Sequence, residues 1–263
     1  PYTHFKNAVV NVAGEAGYLN AWVWPVRNTA ITRMTEGYAV GHFVGYEAAG
    51  IFQNEADIFS HINQEGDLLQ PNAQPGDIRF LDTNGDGVIN SDDIGDIGSP
   101  WPKHIIGLSA NLTYKDFYLN AIFNAQLGHE IYRTYERSDV TFSNMQTFWL
   151  DRWTPEAPSE DLPRLTSTDP NNNQRPSSFY VEDGNFLRLR NLQVGWSLPQ
   201  EWTHRAKMKE VKVYLTGNNL FTITNYRGFD PDIGTSGWIL DTGIDKGFYP
   251  NNRSFGAGLN VTF

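Results

Sequence analysis

Residues 254–263, Ser-Phe-Gly-Ala-Gly-Leu-Asn-Val-Thr-Phe, constrain the fold more than any other stretch of the chain. Odd positions carry Phe255, Ala257, Leu259, Val261 and Phe263; even positions carry Ser254, Gly256, Gly258, Asn260 and Thr262. Successive side chains of an extended strand point to opposite faces. One face here is therefore apolar and ends in an aromatic ring, while the other is small and polar. A soluble sandwich strand can alternate in the same way. The aromatic at the last position favours a strand set between lipid and a wet lumen, as in bacterial outer-membrane barrels. The fold class expected is all-β, an antiparallel transmembrane β-barrel.

Bulk composition does not oppose that reading. Hydrophobic residues make up 40% of the 263 residues, and the mean hydropathy of −0.46 resembles that of a soluble protein. Alternating strands conceal their lipid contact from such averages. No run of about 18 apolar residues occurs, which excludes a transmembrane helix. The 14% aromatic content, with 8 Trp, 12 Tyr and 16 Phe, suits a membrane interface or a carbohydrate surface. A net charge of −10 argues against nucleic acid as a partner. With no Cys, disulfides, thiolate catalysis and Cys-based metal centres are all excluded. The chain starts at Pro1 without a charged-then-apolar leader, so either a mature envelope protein or, the favoured expectation, a fragment of a longer one is read from it.

The clearest hairpin runs from Ile106 to Leu127. Ile106, Leu108, Ala110, Leu112 and Tyr114 share one face, and a Lys115-Asp116 turn leads to Phe117, Leu119, Ala121, Phe123, Ala125 and Leu127. Ile122 is the one apolar residue on the opposite face of that second strand. Further strands are expected from Leu192 to Leu198 and from Val211, with a short helix or turn over Pro199–Lys209. Tyr38–Phe52, Phe5–Val12 and Ala21–Ile31 are also read as strands, Pro25 marking an edge or bulge in the last. The count comes to about seven or eight strands, enough to close a small barrel. The connections are unequal, from two residues to stretches of roughly fifty, and long loops in compact domains are functional. Placing Phe263 on the periplasmic side and alternating backwards puts 227–250, 134–185 and 53–103 outside. The same alternation puts Pro199–Lys209 and Lys115–Asp116 inside.

Asp82-Thr-Asn-Gly-Asp-Gly-Val-Ile-Asn-Ser-Asp-Asp93 fits the calcium-loop template. Asp82, Asn84 and Asp86 hold positions 1, 3 and 5, Gly87 makes the sharp turn, Val88 offers its carbonyl, and Asn90 acts through water. Position 12 is Asp93 where the template has Glu, and the shorter side chain weakens bidentate ligation. The expected ion is Ca²⁺, with Mg²⁺ as the alternative, in a structural role. Residues 78–81 look extended, so no helix–loop–helix is expected. Asn-Gly and Asp-Gly also favour turns that bind nothing.

Other chemistry is thinly supported. Glu156, Glu160 and Asp161, or Asp230 and Asp232, could be paired as glycosidase carboxylates, but loop carboxylates ordinarily serve solvation. The six His (His4, His42, His61, His104, His129, His204) show no ligand spacing and are expected to lie apart. Gly217-Asn-Asn-Leu220 lacks the Lys and helix of a phosphate cradle. Trp149, Arg152 and Trp153 fall in an expected outer loop, where they could stack on a sugar or pack within the loop.

Several stretches, in order, carry a family resemblance: Val44-Gly-Tyr46, Gly50-Ile-Phe-Gln53, Pro75-Gly-Asp77 leading into the Asp82 loop, and Gly98-Ser-Pro100 with Pro102. Arg152-Trp-Thr-Pro155, Pro163-Arg164, Phe186-Leu-Arg-Leu-Arg-Asn191, Leu198-Pro199, Gly217-Asn-Asn-Leu-Phe-Thr222, Asp230-Pro231 and Phe263 follow. Taken together they resemble the carboxy-terminal part of SusC/RagA-type TonB-dependent transporters of Bacteroidota. The resemblance implies that residues 1–263 are barrel sequence of a large plugged barrel whose plug and TonB box lie elsewhere. It further implies TonB, a SusD-like surface lipoprotein and outer-membrane lipid as partners. The implied activity is import of oligosaccharides or peptides without enzymatic chemistry. A secreted carbohydrate-binding β-domain with a dockerin-like calcium loop is the alternative, and a glycoside hydrolase a third reading.

Overall fold

A computed structural model describes residues 1–14, 16–21, 23–24, 29–136, 144–233 and 237–263. Its main feature is one six-stranded antiparallel sheet whose strands follow chain order. They are β1 (Tyr2–His4), β2 (His104–Tyr114), β3 (Phe117–Leu127), β4 (Phe186–Ser197), β5 (Glu210–Thr224) and β6 (Ser254–Thr262). Lys115, at φ +53°, makes the tight β2–β3 turn, a position where Asn or Gly is the usual choice.

The register aligns the apolar side chains of all the long strands. Leu108 faces Phe123, Leu119 faces Val194, Val194 faces Leu215, and Leu215 faces Ala257. Among the described residues no second sheet covers this face: Leu112 is 64% exposed, Leu215 64% and Leu259 63%. From Ile106 to Tyr114 the band runs about 27 Å along the strand, which at the usual tilt of about 40° approaches a membrane's apolar thickness. Tyr114, Phe117, Trp196, Trp202 and Phe263 gather at the end with the short turns. Phe117 stacks on Trp196 at 6.0 Å and Trp202 meets the same indole edge-on at 5.9 Å. Rings with an apolar body and a polar tip collect at such interfaces.

A parity break in β4 keeps the band continuous. Leu187 and Leu189 are odd, Leu192 and Val194 even, and the register shifts between Leu189 and Asn191 on both neighbouring strands. Arg190 is the extra residue, and this bulge returns the following Leu to the same face. Opposite it, β5 accommodates the shift with Asn219 at φ +51°.

All long connections leave the same end of the sheet, and all short ones leave the other. Residues 198–209 include the expected short helix, Gln200–Arg205. The long connections, 5–103, 128–185 and 225–253, fold together into a cap. Its sheets are small: Tyr18–Asn20, Thr32–Thr35, His42–Gly45 and Gly95–Gly98 form one. Val181–Asp183, Glu130–Arg133 and Ile244–Asp245 form another, the last pair running parallel. The buried core sits here, with Trp24, Ile31, Phe43, Tyr132, Tyr180 and Ile244 drawn from all three connections.

The strand count therefore needs correction. Tyr38–Phe52 does contain strands, His42–Gly45 and Ala48–Ile51, but they belong to the cap. Phe5–Val12 shows only an isolated bridge at Val9 among the described residues. Pro25 lies outside the described residues. Among the described residues the sheet has six strands instead of seven or eight, and it is open, as the expected segment of a large barrel would be.

Candidate functional site

The Asp82 loop leaves the Ile78–Phe80 strand and ends in a short 3-10 turn, Ser91–Asp93. Asp82 accepts hydrogen bonds from the Gly85 and Gly87 N–H groups at 2.7 and 2.8 Å. Gly85 and Gly87 both have positive φ, which the tight turn requires. The Val88 N–H and the Asn84 amide hold the Asp86 carboxyl below its usual range. Asp93 is buried, and its carboxylate accepts from Thr83 N at 2.7 Å and Asn90 N at 2.8 Å. Among the described residues no three His, Cys, Asp or Glu side chains converge as a metal centre. The donor chemistry nevertheless suits a hard cation, because Asp82, Asn84, Asp86 and the Val88 carbonyl offer oxygen only. Asp93 is engaged mainly in closing the loop on itself.

The two indoles of the outer loop are largely enclosed by protein. Trp149 is buried and its N–H donates to Glu136 Oε1 at 2.7 Å. Trp153 is buried against Gly76, where a Cβ would come within 2.4 Å of the ring. Arg164 fixes the same corner by pairing with the buried Asp77 at 2.6 and 3.2 Å. Arg152 is half-buried beside an open cleft that it shares with Trp153, Pro155 and Leu165. Glu156, Glu160 and Asp161 are exposed.

Asp230 and Asp232 are both held in ion pairs. They lie beside each other on one loop and grip Arg188, a nearly buried side chain on the polar face of β4. Arg188 reaches Asp230 and Asp232, the latter at 3.2 Å, and its Nε donates to Thr222 at 2.9 Å. Arg190 adds a bond to Asp232 at 2.9 Å. Burial lifts the Asp230 carboxyl, but the N–H groups of Asn251 and Asp232, with Arg188, outweigh it and hold the group low. Sequence reasoning missed this cluster. Its one signal is Arg188 set between Leu187 and Leu189, a charge confined to the polar face.

A second guanidinium is enclosed in the cap. Arg133 is fully buried, 2.9 Å from Glu182 and 3.5 Å from Glu136, with Phe148 and Phe179 rings about it. Arg227 reaches the same Glu182 at 3.0 Å. Burial pushes the Glu136 carboxyl up. The sequence predicts histidines that all lie apart, and one pair departs from this: His4 and His104 face each other across the β1–β2 ladder with ring centres 5.1 Å apart.

An exposed apolar face, a polar face carrying a locked arginine, and a one-sided cap are the features of a wall segment of a transmembrane β-barrel. The chain is a segment of a SusC/RagA-type TonB-dependent receptor. It is 34% identical to a TonB-dependent receptor of Formosa agariphila over 90% of this chain and 23% of that protein. A second receptor of that organism is 32% identical over 98% of this chain and 26% of its own length. The TonB-dependent receptor SusC of Bacteroides thetaiotaomicron is 25% identical over 89% of this chain and 21% of its own. The chain thus spans about a quarter of these relatives. The whole chain also superposes on 26% of a chain of the RagAB peptide importer in its "closed-closed" state, with a TM-score of 0.70 at 22% identity. No family model matches the chain.

Proposed function

We propose that this segment is the carboxy-terminal barrel part of an outer-membrane TonB-dependent active importer of glycans or peptides. It supplies lumen wall and outer cap, and no bond is made or broken in it. A SusD-like lipoprotein seats over the cap, and TonB acts through sequence outside this chain. The observation that carries the reading is the uncovered apolar face of the sheet, backed by a polar face and capped at one end only. Similarity to SusC and to the RagAB peptide importer supports it. The Asp82 loop holds Ca²⁺ or Mg²⁺ through Asp82, Asn84, Asp86, Val88, Asn90 and Asp93, stiffening the cap where a partner docks.

Deleting the gene of the full receptor tests the assignment. Loss of growth on one glycan or peptide, restored by the receptor only in cells that have TonB, is the expected result. Undiminished uptake without TonB, or a receptor that stays soluble without detergent, overturns it.

A further inference from the structure

Below the cap, on the polar face of the sheet, lies a cavity of about 350 Å³. That volume is near the lower end of ligand pockets, roughly 300–1,000 Å³. Its floor is the locked cluster just described: Arg188 with Thr222, and Asp230 above them. The charges of Arg188 and Arg190 are matched there by Asp230 and Asp232. Arg253 also lines the cavity, is exposed, and makes no hydrogen bond or ion pair among the described residues. Among the described residues it is thus the uncompensated charge of the pocket. Phe229, 63% exposed, stands on the wall, and Pro250 adds apolar surface. Asn219 spends its amide N–H on the Asn252 carbonyl at 3.1 Å, which leaves its own carbonyl oxygen as an acceptor.

We infer that this cavity is a cargo subsite for a carboxylate-bearing unit, held by Arg253 and laid against Phe229. The inference rests on the importer reading above and adds the chemical class of cargo. A guanidinium binds carboxylate through two parallel N–H bonds, a match that a neutral hydroxyl or amide cannot reproduce. The Phe229 ring gives the apolar face of a sugar or side chain a surface to stack on. Because Arg188 is already saturated by two aspartates, discrimination falls to Arg253. The carboxylate could come from a uronic acid or from a peptide terminus, and the chemistry is shared.

The test uses the full-length receptor in its native complex and titration calorimetry with two probe pairs. One pair is trigalacturonate and its methyl ester; the other is a pentapeptide and its carboxy-terminal amide. The expected result is that the receptor prefers the acid in one pair, which identifies the source. Arg253→Gln then weakens the acid about tenfold or more and leaves the neutral partner unchanged. Arg253→Lys retains part of the preference, and unchanged heat-modifiable migration shows that both variants fold. Equal binding of acid and neutral forms in both pairs overturns the inference. So does an Arg253→Gln loss that is equal for both forms, or no loss at all. A receptor that binds none of the four probes also overturns it, while TonB-dependent growth decides the importer reading separately.

Discussion

At the scale of single residues, Arg188 carries the clearest prediction. Its guanidinium is nearly buried and answers two carboxylates, so removing it takes the arginine from Asp230 and leaves Asp232 to Arg190 alone. Breaking one side of such a pair costs about 3–5 kcal/mol. Arg188→Gln is expected to expose 225–233 to added protease at least tenfold faster, while the other long connections resist as before. The same lock has a pH signature. A carboxyl held low, as Asp230 is, contributes stability above its unfolded value of about 3.9. That contribution is lost as pH falls through the folded value, so protease resistance of this loop should drop below about pH 4 and not change between pH 6 and 8. In the Asp82 loop, replacing Asp82 and Asp86 together with Ala is expected to abolish Ca²⁺-dependent protection from hydrogen exchange over 82–93. Equal exchange with and without chelator in the unaltered receptor would remove the metal from the account.

At the scale of elements, the two faces of β5 predict opposite responses to one charge. Leu215 faces outward beside Val194 and Ala257, whereas Thr216 points the other way beside Gln193. Arginine at a lipid-facing midplane position costs about 2–4 kcal/mol. Leu215→Arg should therefore lower folding stability in vesicles by that order, and Thr216→Arg should change it by less than about 1 kcal/mol. Urea titration of the refolded receptor measures both. The hairpin of β2 and β3 and the final strand were legible in sequence because period-2 alternation runs through them with Ile122 as the one lapse. The faces of β4 were less so, since Arg190 interrupts the alternation and only the neighbouring strands reveal a bulge. Cap strands of two to four residues hold too few alternations to show a period, which is why Tyr38–Phe52 reads as barrel sequence. The calcium-type loop was legible as a shape, because Asx turns are local. The Asp230–Arg188 contact spans 42 positions, so the placing of Arg188 between two leucines signals a polar-face charge but not its partner.

On the scale of the whole molecule, two different solvents shape one chain. The sheet keeps its apolar side chains outward and almost none of its own core, while the cap encloses a conventional core of aromatic and aliphatic groups. Phe43 is fully buried in that core and meets Tyr132 edge-on at 5.6 Å. Phe43→Ala is expected to cost about 3–5 kcal/mol. Its cost should register in the cap, with protease sites opening in 5–103, 128–185 and 225–253 together. Cleavage in only one of the three would refute a shared core.

The parallel ladder joining Tyr132 to Ile244 has an evolutionary corollary. Segments that cross-brace one another cannot be traded singly between relatives without leaving their counterparts unsupported. Recombination that alters what such a receptor recognises should therefore move these three stretches as a block, and a chimera carrying just one foreign stretch should assemble poorly.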